Sequence, residues 1–483
     1  MKIKLNYIKS LAILAFAILL GSNGCRSYRP IPECVKSDTL TGTESEIKKV
    51  IPQACQILTL RIAEDIALVN NPDFISKHQA MLAAWERYYQ SLGDFLPTVN
   101  ASYGYTSDYA NPSVQKNLQG TANANRSVSR GNSVGLQGQW LVFNGLIREM
   151  NALAEKHKAK EYEYAEEDAR RLLLRSVSTQ YNNVLLAIEK NRIARTNMEF
   201  QQKLLDETQL KYEAGAVPLS DVLNFKIKLN EAEGSLISAE YQYNTSKFAL
   251  AELMGIPEGK LPDDTKFPPM SASTGEQLAD VSIYIDTALS NRPDLKKYRE
   301  ALEAANYTLY SRWGAYSPSV SLNGSLGWSR DKSRYDGRYG DSLEGSSNWD
   351  TIDQRATAGY GVSADWTVFD GFKRFTRIRE ARSLVSQGEF ELANSWIQVI
   401  QEVRSAYEGY IQNKKQAILF KKTLGLVTKQ RDLVEEEYKA GNTELTRLNE
   451  AQRDLVNADT NLVSALINVQ NAKAQLEAST NSR

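Results

Sequence analysis

The chain has 483 residues, with 58 Lys and Arg against 58 Asp and Glu, so its formal net charge is zero. This balance argues against a nucleic-acid-binding protein, which needs a basic excess. Two His and three Cys argue against a metal site built from several such side chains, while 42% hydrophobic residues are enough for a folded chain.

The N-terminus has the order of regions expected of a signal peptide. Lysines precede an apolar run over 11–20, which is too short to span a bilayer. Small residues at 22–24 then precede Cys25, and this resembles a lipoprotein processing site. We predict that 1–24 is removed and that Cys25 becomes the acylated first residue. The alternative is ordinary cleavage nearby that leaves Cys25 unmodified.

The segment 25–58 holds the two other cysteines, Cys34 and Cys55. An exported chain enters an oxidising compartment. If Cys25 is acylated, two cysteines remain, and this even number favours a disulfide between them. The bond would close a loop of about 20 residues and contribute on the order of 3 kcal/mol in the loop-entropy model. The alternative is two unpaired thiols, because pairing cannot be derived from sequence.

After the signal, no stretch of 18 consecutive apolar residues occurs. Any later membrane crossing must therefore use β-strands.

The rest of the chain consists of two copies of one repeat unit. The stretch 67–73 is echoed by 288–294 at an offset of 221, and 140–145 is echoed by 366–371 at an offset of 226. The five-residue change lies between Val99 and Trp140, which indicates an insertion in a surface loop. The predicted division is an N-terminal segment 25–58, a first repeat 59–254, a linker 255–280, a second repeat 281–478 and a tail 479–483.

In each repeat the predicted order of elements is helix, strand, loop, strand, helix, tight turn, helix. Period-two alternation begins at Val99 and at Val320, and polar stretches such as 107–131 read as loops. The predicted helices are 59–94, 146–212, 217–254, 281–316, 372–438 and 445–477.

The two longest helical patterns have 67 residues each and contain no proline, so each would extend about 100 Å. The shorter helices are about half as long, so each long helix would pack beside a stacked pair. Tyr181 and Tyr407 recur at heptad-like spacing, and we assign them to helix packing and not to chemistry.

The four strands have one apolar face each and, at about ten residues, suit an outer membrane. The predicted membrane-interface aromatics are Trp140, Trp366, Trp328 and Tyr103. The alternative is a soluble β-layer packed on the helices. Four strands leave open edges that lipid does not tolerate, so several chains must combine. Two chains would give a filled eight-stranded barrel, and three would give twelve strands and a pore.

This duplicated plan is similar to the TolC/OprM family of outer-membrane efflux proteins, over about residues 59–478. The resemblance implies a mainly α fold with transmembrane β, in which a homotrimer forms a 12-stranded β-barrel that continues into a long periplasmic α-helical barrel. It also implies a periplasmic adaptor and an inner-membrane pump as partners, with no enzyme activity and no cofactor. The lipoprotein-like start resembles the OprM branch, which usually serves proton-driven pumps.

The turns after the long helices lie far from the strands, and glycine suits a helix C-terminus that needs positive φ. The resemblance assigns these turns to adaptor docking, through Gly215, Val217, Gly441 and Thr443. It also assigns the periplasmic gate and ion selectivity to Asp221, Tyr438 and Glu450. Thr443 and Arg447 depart from the TolC pattern, which has Arg and an acid there. The alternative is that these side chains are only surface charges at helix ends.

We therefore predict the lipid-anchored outer-membrane channel of a tripartite efflux system, a passive exit duct for small molecules. The alternatives are the outer-membrane component of type I protein secretion and a lipid-anchored structural coiled-coil protein.

Overall fold

The computed structural model describes residues 57–116, 122–262, 264–270, 278–339 and 345–481. Cys25, Cys34 and Cys55 lie outside these ranges. In chain order the elements are α1 (Leu60–Asn70), α2 (Pro72–Gly93), β1 (Thr98–Lys116), β2 (Ala122–Phe143), α3 (Ile147–Glu213), α4 (Leu219–Leu253), α5 (Val281–Asn291), α6 (Pro293–Gly314), β3 (Ser319–Tyr339), β4 (Gly345–Asp365), α7 (Lys373–Lys439) and α8 (Leu445–Thr480).

Each first helix of a repeat is broken in two, where the sequence pattern predicts one helix over 59–94 and one over 281–316. The breaks fall at Asn71 and Arg292, which have extended backbone with ψ of 118° and 127°. Each precedes a proline, whose ring disfavours the helical conformation of the residue before it. The proline then begins the next helix, because a first-turn position needs no N–H.

The long helices α3 and α7 each have 67 residues. Helix α3 packs against α1 and α2 along one part and α4 along another, while α7 packs against α5, α6 and α8. Helices α6 and α8 also contact α3 and so join the two repeats. The predicted stacking of shorter helices beside each long helix is therefore confirmed. No described helix combines the length and apolarity needed to cross a membrane.

The four strands form one antiparallel sheet in the order β1-β2-β3-β4. They have 19, 22, 21 and 21 residues, about twice the predicted length. The prediction of a loop over 107–131 is wrong, because β1 continues to Lys116 and β2 begins at Ala122. Ladder hydrogen bonds join backbone groups whatever the side chains are, so a polar segment without apolar alternation can also form a strand.

One face of the sheet is apolar and the other is polar. A row across the sheet places Tyr103 opposite Val134, Val134 opposite Trp328, and Trp328 opposite Ala356. These residues share a face with Leu136, Leu326 and Val362, whereas the opposite face carries Gln137, Asn323 and Ser325. The predicted alternation of the strands is confirmed.

The sheet is joined to the helices by a contact set that occurs in both repeats. The indole Nε1 of Trp140 donates a 3.0 Å hydrogen bond to the carbonyl oxygen of Phe95, which follows α2. The guanidinium of Arg148, in the first turn of α3, lies 4.3 Å from the centre of the Phe95 ring. The second repeat uses the equivalent residues Trp366, Tyr316 and Arg374. This duplicated junction fixes the strands relative to the helices.

The two tyrosines that recur at heptad-like spacing hold the start of each repeat. Tyr181 is 3% exposed and donates a 2.9 Å hydrogen bond to the carbonyl oxygen of Leu58. Burial raises the pKa of Tyr181 to about 12. Tyr407 donates in the same way to the carbonyl oxygen of Ala279, at 3.1 Å. Both are packing residues, as predicted.

The end of α8 is held by two buried arginines. Arg171 donates to the carbonyl oxygen of Ala478 at 2.8 Å, and Arg292 donates to that of Ser479 at 3.3 Å. Arg292 also pairs with Asp294 at 2.6 Å and Glu402 at 2.7 Å. Cations at a helix C-terminus complement its dipole, and here they also satisfy its last carbonyl groups.

Removing the Arg292 guanidinium is expected to lower the free energy of unfolding by about 3 kcal/mol, because Asp294 and Glu402 would lose their partner. Thermal unfolding of Arg292→Ala, followed by circular dichroism at helix wavelengths, measures this loss. Arg170→Ala is the control, since Arg170 is exposed on α3. Equal midpoints for the two variants would contradict the structural role of Arg292.

Candidate functional site: the helical turns opposite the sheet

Two tight turns end the long helices at the end of the molecule opposite the sheet. In the first, Gly215 has φ +75°, its N–H donates to Tyr212 O at 2.8 Å, and the N–H of Ala216 donates to Lys211 O at 2.8 Å. This bonding pattern is the Schellman motif, which closes a helix through one left-handed residue. Since α3 has 67 residues, the turn lies about 100 Å from the sheet.

The second turn has the same geometry at the end of α7. Gly441 has φ +78° and its N–H donates to Tyr438 O at 3.0 Å, while the N–H of Asn442 donates to Glu437 O at 2.9 Å. A Cβ at either glycine would meet no atom within 4 Å. Positive φ, and not lack of space, therefore requires glycine at both positions. Around them, Ala214, Ala216, Ala440 and Asn442 are all exposed.

The four helices that meet here share an apolar cluster. Its buried members are Leu204 from α3, Phe225 from α4, Val434 from α7, and Leu448 and Ala451 from α8. Tyr438 packs against this cluster at its edge. The two turns are consequently held together as one unit and not as two independent loops.

Two of the three predicted gate residues lie within electrostatic reach of each other. Partial burial raises the pKa of the Tyr438 phenol. A hydrogen bond with Thr208 opposes this shift, and the nearby charges of Asp221 and Glu207 reinforce it. The ammonium of Lys211 lies 5.4 Å from the centre of the Tyr438 ring. Tyr438 on α7 therefore lies close enough to Asp221, in the first turn of α4, for the carboxylate charge to act on the phenol.

Glu450 lies apart from this pair. It is exposed on the second turn of α8 and makes no hydrogen bond or ion pair with another described residue. Arg447, on the same helix, approaches Glu437 of α7 at 3.9 Å, and both side chains are exposed to solvent. Val217 and Thr443 are half-buried within the turns. Within one chain, the structure therefore brings Asp221 and Tyr438 together but not Glu450.

Sequence analysis missed an ion-pair group just before the second turn. Glu435 accepts hydrogen bonds from Arg431 at 2.6 Å and from Lys439 at 2.7 Å. Partial burial raises the pKa of Glu435, but these two cationic partners outweigh it and leave the pKa below its usual range. The spacing of four residues between opposite charges on one helix was the available signal.

At the other end, the predicted interface aromatics lie at the junction with the helices and further along the apolar face. Trp140 and Trp366 lie at the junction with the helices, where each indole caps a helix-end carbonyl group. Tyr103 and Trp328 lie in one row across the sheet, which also contains Val134 and Ala356. Trp140 follows Val134 by six residues, about 20 Å along a strand, and Trp366 follows Ala356 by ten residues.

Within the described ranges, no group of three or more His, Cys, Asp or Glu side chains is arranged to hold a metal ion. The site is a set of turns, charges and helix ends.

Comparison with known proteins agrees with this architecture. The chain is 24% identical to the alkaline protease secretion protein AprF of Pseudomonas aeruginosa over 354 residues, which are 71% of this chain and 67% of AprF. It is 21% identical to the outer membrane protein TolC of Escherichia coli over 426 residues, 85% of this chain and 80% of TolC.

The fold also matches a solved structure. The Campylobacter jejuni CmeC outer membrane channel superposes with a TM-score of 0.71 at 18% identity, covering 87% of this chain and 85% of CmeC. The family model described as outer membrane efflux protein matches residues 64–256 and 284–482, once for each repeat. The chain therefore belongs to the outer membrane efflux protein family, as its duplicated sequence predicts.

Proposed function

We propose that this protein is the outer-membrane exit duct of a tripartite efflux system, through which small molecules leave passively. The observation that carries this proposal is a four-stranded sheet with one apolar face and two unpaired edges, joined to helices about 100 Å long. The apolar face fits lipid, the polar face fits a wet lumen, and the helices span the periplasm.

The proposed assembly is a homotrimer, because three chains supply the twelve strands that leave a pore at the centre of a barrel. Acylation of Cys25 and a bond between Cys34 and Cys55 remain part of the proposal. So do the roles of Trp140 and Trp366 at the membrane boundary, which their amphipathic indoles suit.

The partners we propose are a periplasmic adaptor and a proton-driven inner-membrane pump. The turns at Gly215 and Gly441 would meet the adaptor, since their small exposed residues permit close approach of another backbone. The duct itself would perform no chemistry on its cargo, and the pump would choose it.

Protein secretion is the second candidate function. It is favoured by the similarity to AprF, which is named as a protease secretion protein. A purely structural coiled-coil role does not account for an amphipathic sheet.

We further propose that Asp221, Tyr438 and Glu450 set the closed mouth and its preference for cations. In a trimer each would recur three times around one axis, and rings of acids at a pore mouth favour cations. The Asp221–Tyr438 pair would link the two turns of one chain, while the exposed Glu450 is free to face the lumen.

The purified protein is expected to conduct ions in planar lipid bilayers and to prefer cations. The double variant Asp221→Asn, Glu450→Gln should lower the cation-to-anion permeability ratio about twofold or more. The reason is that it removes two negative charges from each chain, and therefore six from the mouth of a trimer. Glu389→Gln, which changes an exposed acid about a quarter of the way along α7, far from the turns, is the matched control. Wild type without conductance would refute the duct, and an unchanged ratio in the double variant would refute the acidic rings.

A charged dipeptide inserted after Gly441 should abolish efflux, because it would separate the second turn from an adaptor docked on it. Dye accumulation in cells that lack other outer-membrane channels measures efflux, and immunoblots of outer membranes measure the level of the protein. The same insertion after Gly259, an exposed linker glycine that also has positive φ, is the control. Normal efflux with the Gly441 insertion would contradict docking at this turn.

A further inference from the structure

The apolar face of the sheet becomes basic towards the strand ends that lie farther from the helices. Trp328 of β3 lies on this face, and every second residue of a strand shares a face. The next three residues on the same face of β3 are Arg330, Lys332 and Arg334. On β2 the same face carries Arg130, directly opposite Lys332. These four exposed cations are here called the basic cluster.

Charges at this level are sorted between the two faces of the sheet. On the opposite face, Asp331 of β3 lies directly opposite Asp353 of β4. On the face of the basic cluster, the acid among the described residues of the same rows is Asp350, whose carboxylate lies 3.4 Å from the ammonium of Lys332. One described acid therefore accompanies four cations, which leaves an excess of three positive charges.

The cross-strand pair of Arg130 and Lys332 is unfavourable by itself. Residues directly opposite each other in an antiparallel ladder have Cβ atoms about 5 Å apart, and like charges there repel. Within the described part of the chain, the guanidinium groups of Arg130, Arg330 and Arg334 make no hydrogen bond or ion pair. An anion between the two strands would remove the repulsion and supply these donors with an acceptor.

Next to the basic cluster, on the side nearer the helices, the same face has a shallow apolar groove of about 390 Å³. It is lined by four large side chains and two small ones, Val134, Leu136, Leu326, Trp328, Ala356 and Ala358. The small side chains of β4 lie opposite the large ones of β3, so the groove runs beside Leu326 and Trp328. An apolar groove that adjoins a group of cations fits a molecule with a hydrocarbon chain next to an anionic group.

The basic cluster lies at the depth of a membrane surface. Trp140, at the junction with the helices, pairs with Leu322, and Lys332 follows Leu322 by ten residues, about 34 Å along β3. A strand tilted by about 40° covers about 26 Å of membrane thickness in that length, and the apolar band of an outer-membrane barrel is about 25 Å tall. Because the helices extend into the periplasm, this depth is that of the headgroups of the outer leaflet.

We propose that the basic cluster and the apolar groove bind a phosphorylated glycolipid of the outer leaflet. Its phosphate lies between Arg130 and Lys332, since guanidinium groups match the geometry of phosphate oxygens and clustered cations attract anionic headgroups. One acyl chain of the same lipid lies along Trp328 in the groove. The groove commits the site to a lipid, because a soluble phosphate has no part that would bind there.

This inference rests on the proposed barrel in the outer membrane and adds a lipid ligand to its outer face. A threefold assembly would carry three such sites. Their occupation would hold the sheet at a fixed depth, since the phosphates stay in the headgroup layer.

Native mass spectrometry of the full-length protein in neutral detergent, titrated with diphosphoryl lipid A, tests the headgroup site. The triple variant Arg130→Gln, Arg330→Gln, Lys332→Gln should bind this lipid at least tenfold more weakly than wild type, and Arg130→Gln alone at least threefold. Arg355→Gln is the matched control, because Arg355 is an exposed cation of β4 on the opposite face, and it should stay within twofold of wild type. Wild-type affinity in the Arg130→Gln and triple variants would overturn the headgroup site.

The chemistry of the lipid is tested with two further probes on wild type. Dephosphorylated lipid A and phosphatidylglycerol should each bind at least fivefold more weakly than diphosphoryl lipid A. Equal binding of the dephosphorylated form would overturn the role of the phosphate. Equal binding of phosphatidylglycerol would overturn the assignment to a glycolipid.

Ala356→Phe tests the groove. The larger side chain would fill the space beside Trp328, so diphosphoryl lipid A should bind at least fivefold more weakly. Val362→Phe is the control, since Val362 lies on the same face six residues nearer the helices and outside the groove. Unchanged affinity in Ala356→Phe would overturn the groove as the acyl site.

The same spectra report the mass of the assembly, so a variant that fails to assemble is recognised. A wild type that conducts ions but binds diphosphoryl lipid A no better than the triple variant refutes only this inference. A wild type that neither assembles nor conducts refutes the proposed function.

Discussion

The unpaired edges of the sheet are the constraint from which the rest of the assembly follows. Within the part of the chain that the structure describes, strands β1 and β4 each pair with another strand on one side only. In lipid, each unsatisfied backbone group costs several kcal/mol, so an open sheet cannot remain in a membrane as a single chain. Closure by further copies removes both edges at once. The duplication makes closure simple, because a chain whose halves fit each other can also fit its neighbours.

The sheet and the helical end are connected through a small number of fixed contacts. The junction of Trp140 with Phe95 and of Trp366 with Tyr316 orients the strands on the helices in both repeats. At the far end, the cluster around Leu448 and the phenol of Tyr438 hold the two turns as a unit. Movement of one turn would thus be transmitted to the other, as the proposed gate at this end requires. The ends of α4 and α8 are held differently, because Arg292 donates to the carbonyl oxygen of Ser479, whereas its equivalent in the first repeat, Asn71, donates to that of Leu253 through an uncharged amide.

The sequence was sufficient to predict the repeat, the long helices and the amphipathic sheet, because periodicity and internal echoes are local signals. It misled at 107–131, where Asn, Ser and Gly suggested a loop although ladder bonds between backbones extend the strands. It also missed the breaks before Pro72 and Pro293. The contacts of Glu435 could have been found from spacing along one helix, whereas those of Arg292 with Glu402 and Ser479 join residues over a hundred positions apart. Where Glu450 points in the assembly depends on neighbouring chains, so no pattern within one sequence specifies it.

Single-particle electron microscopy of the full-length protein, extracted from outer membranes in detergent, tests the central claim most directly. The account predicts hollow tubes with threefold symmetry, a helical part about 100 Å long and a short barrel at one end. In such particles the edge strands β1 and β4 of neighbouring chains would be continuous. Solid rods, or single chains with an open sheet, would contradict the account and leave a coiled-coil protein without a duct.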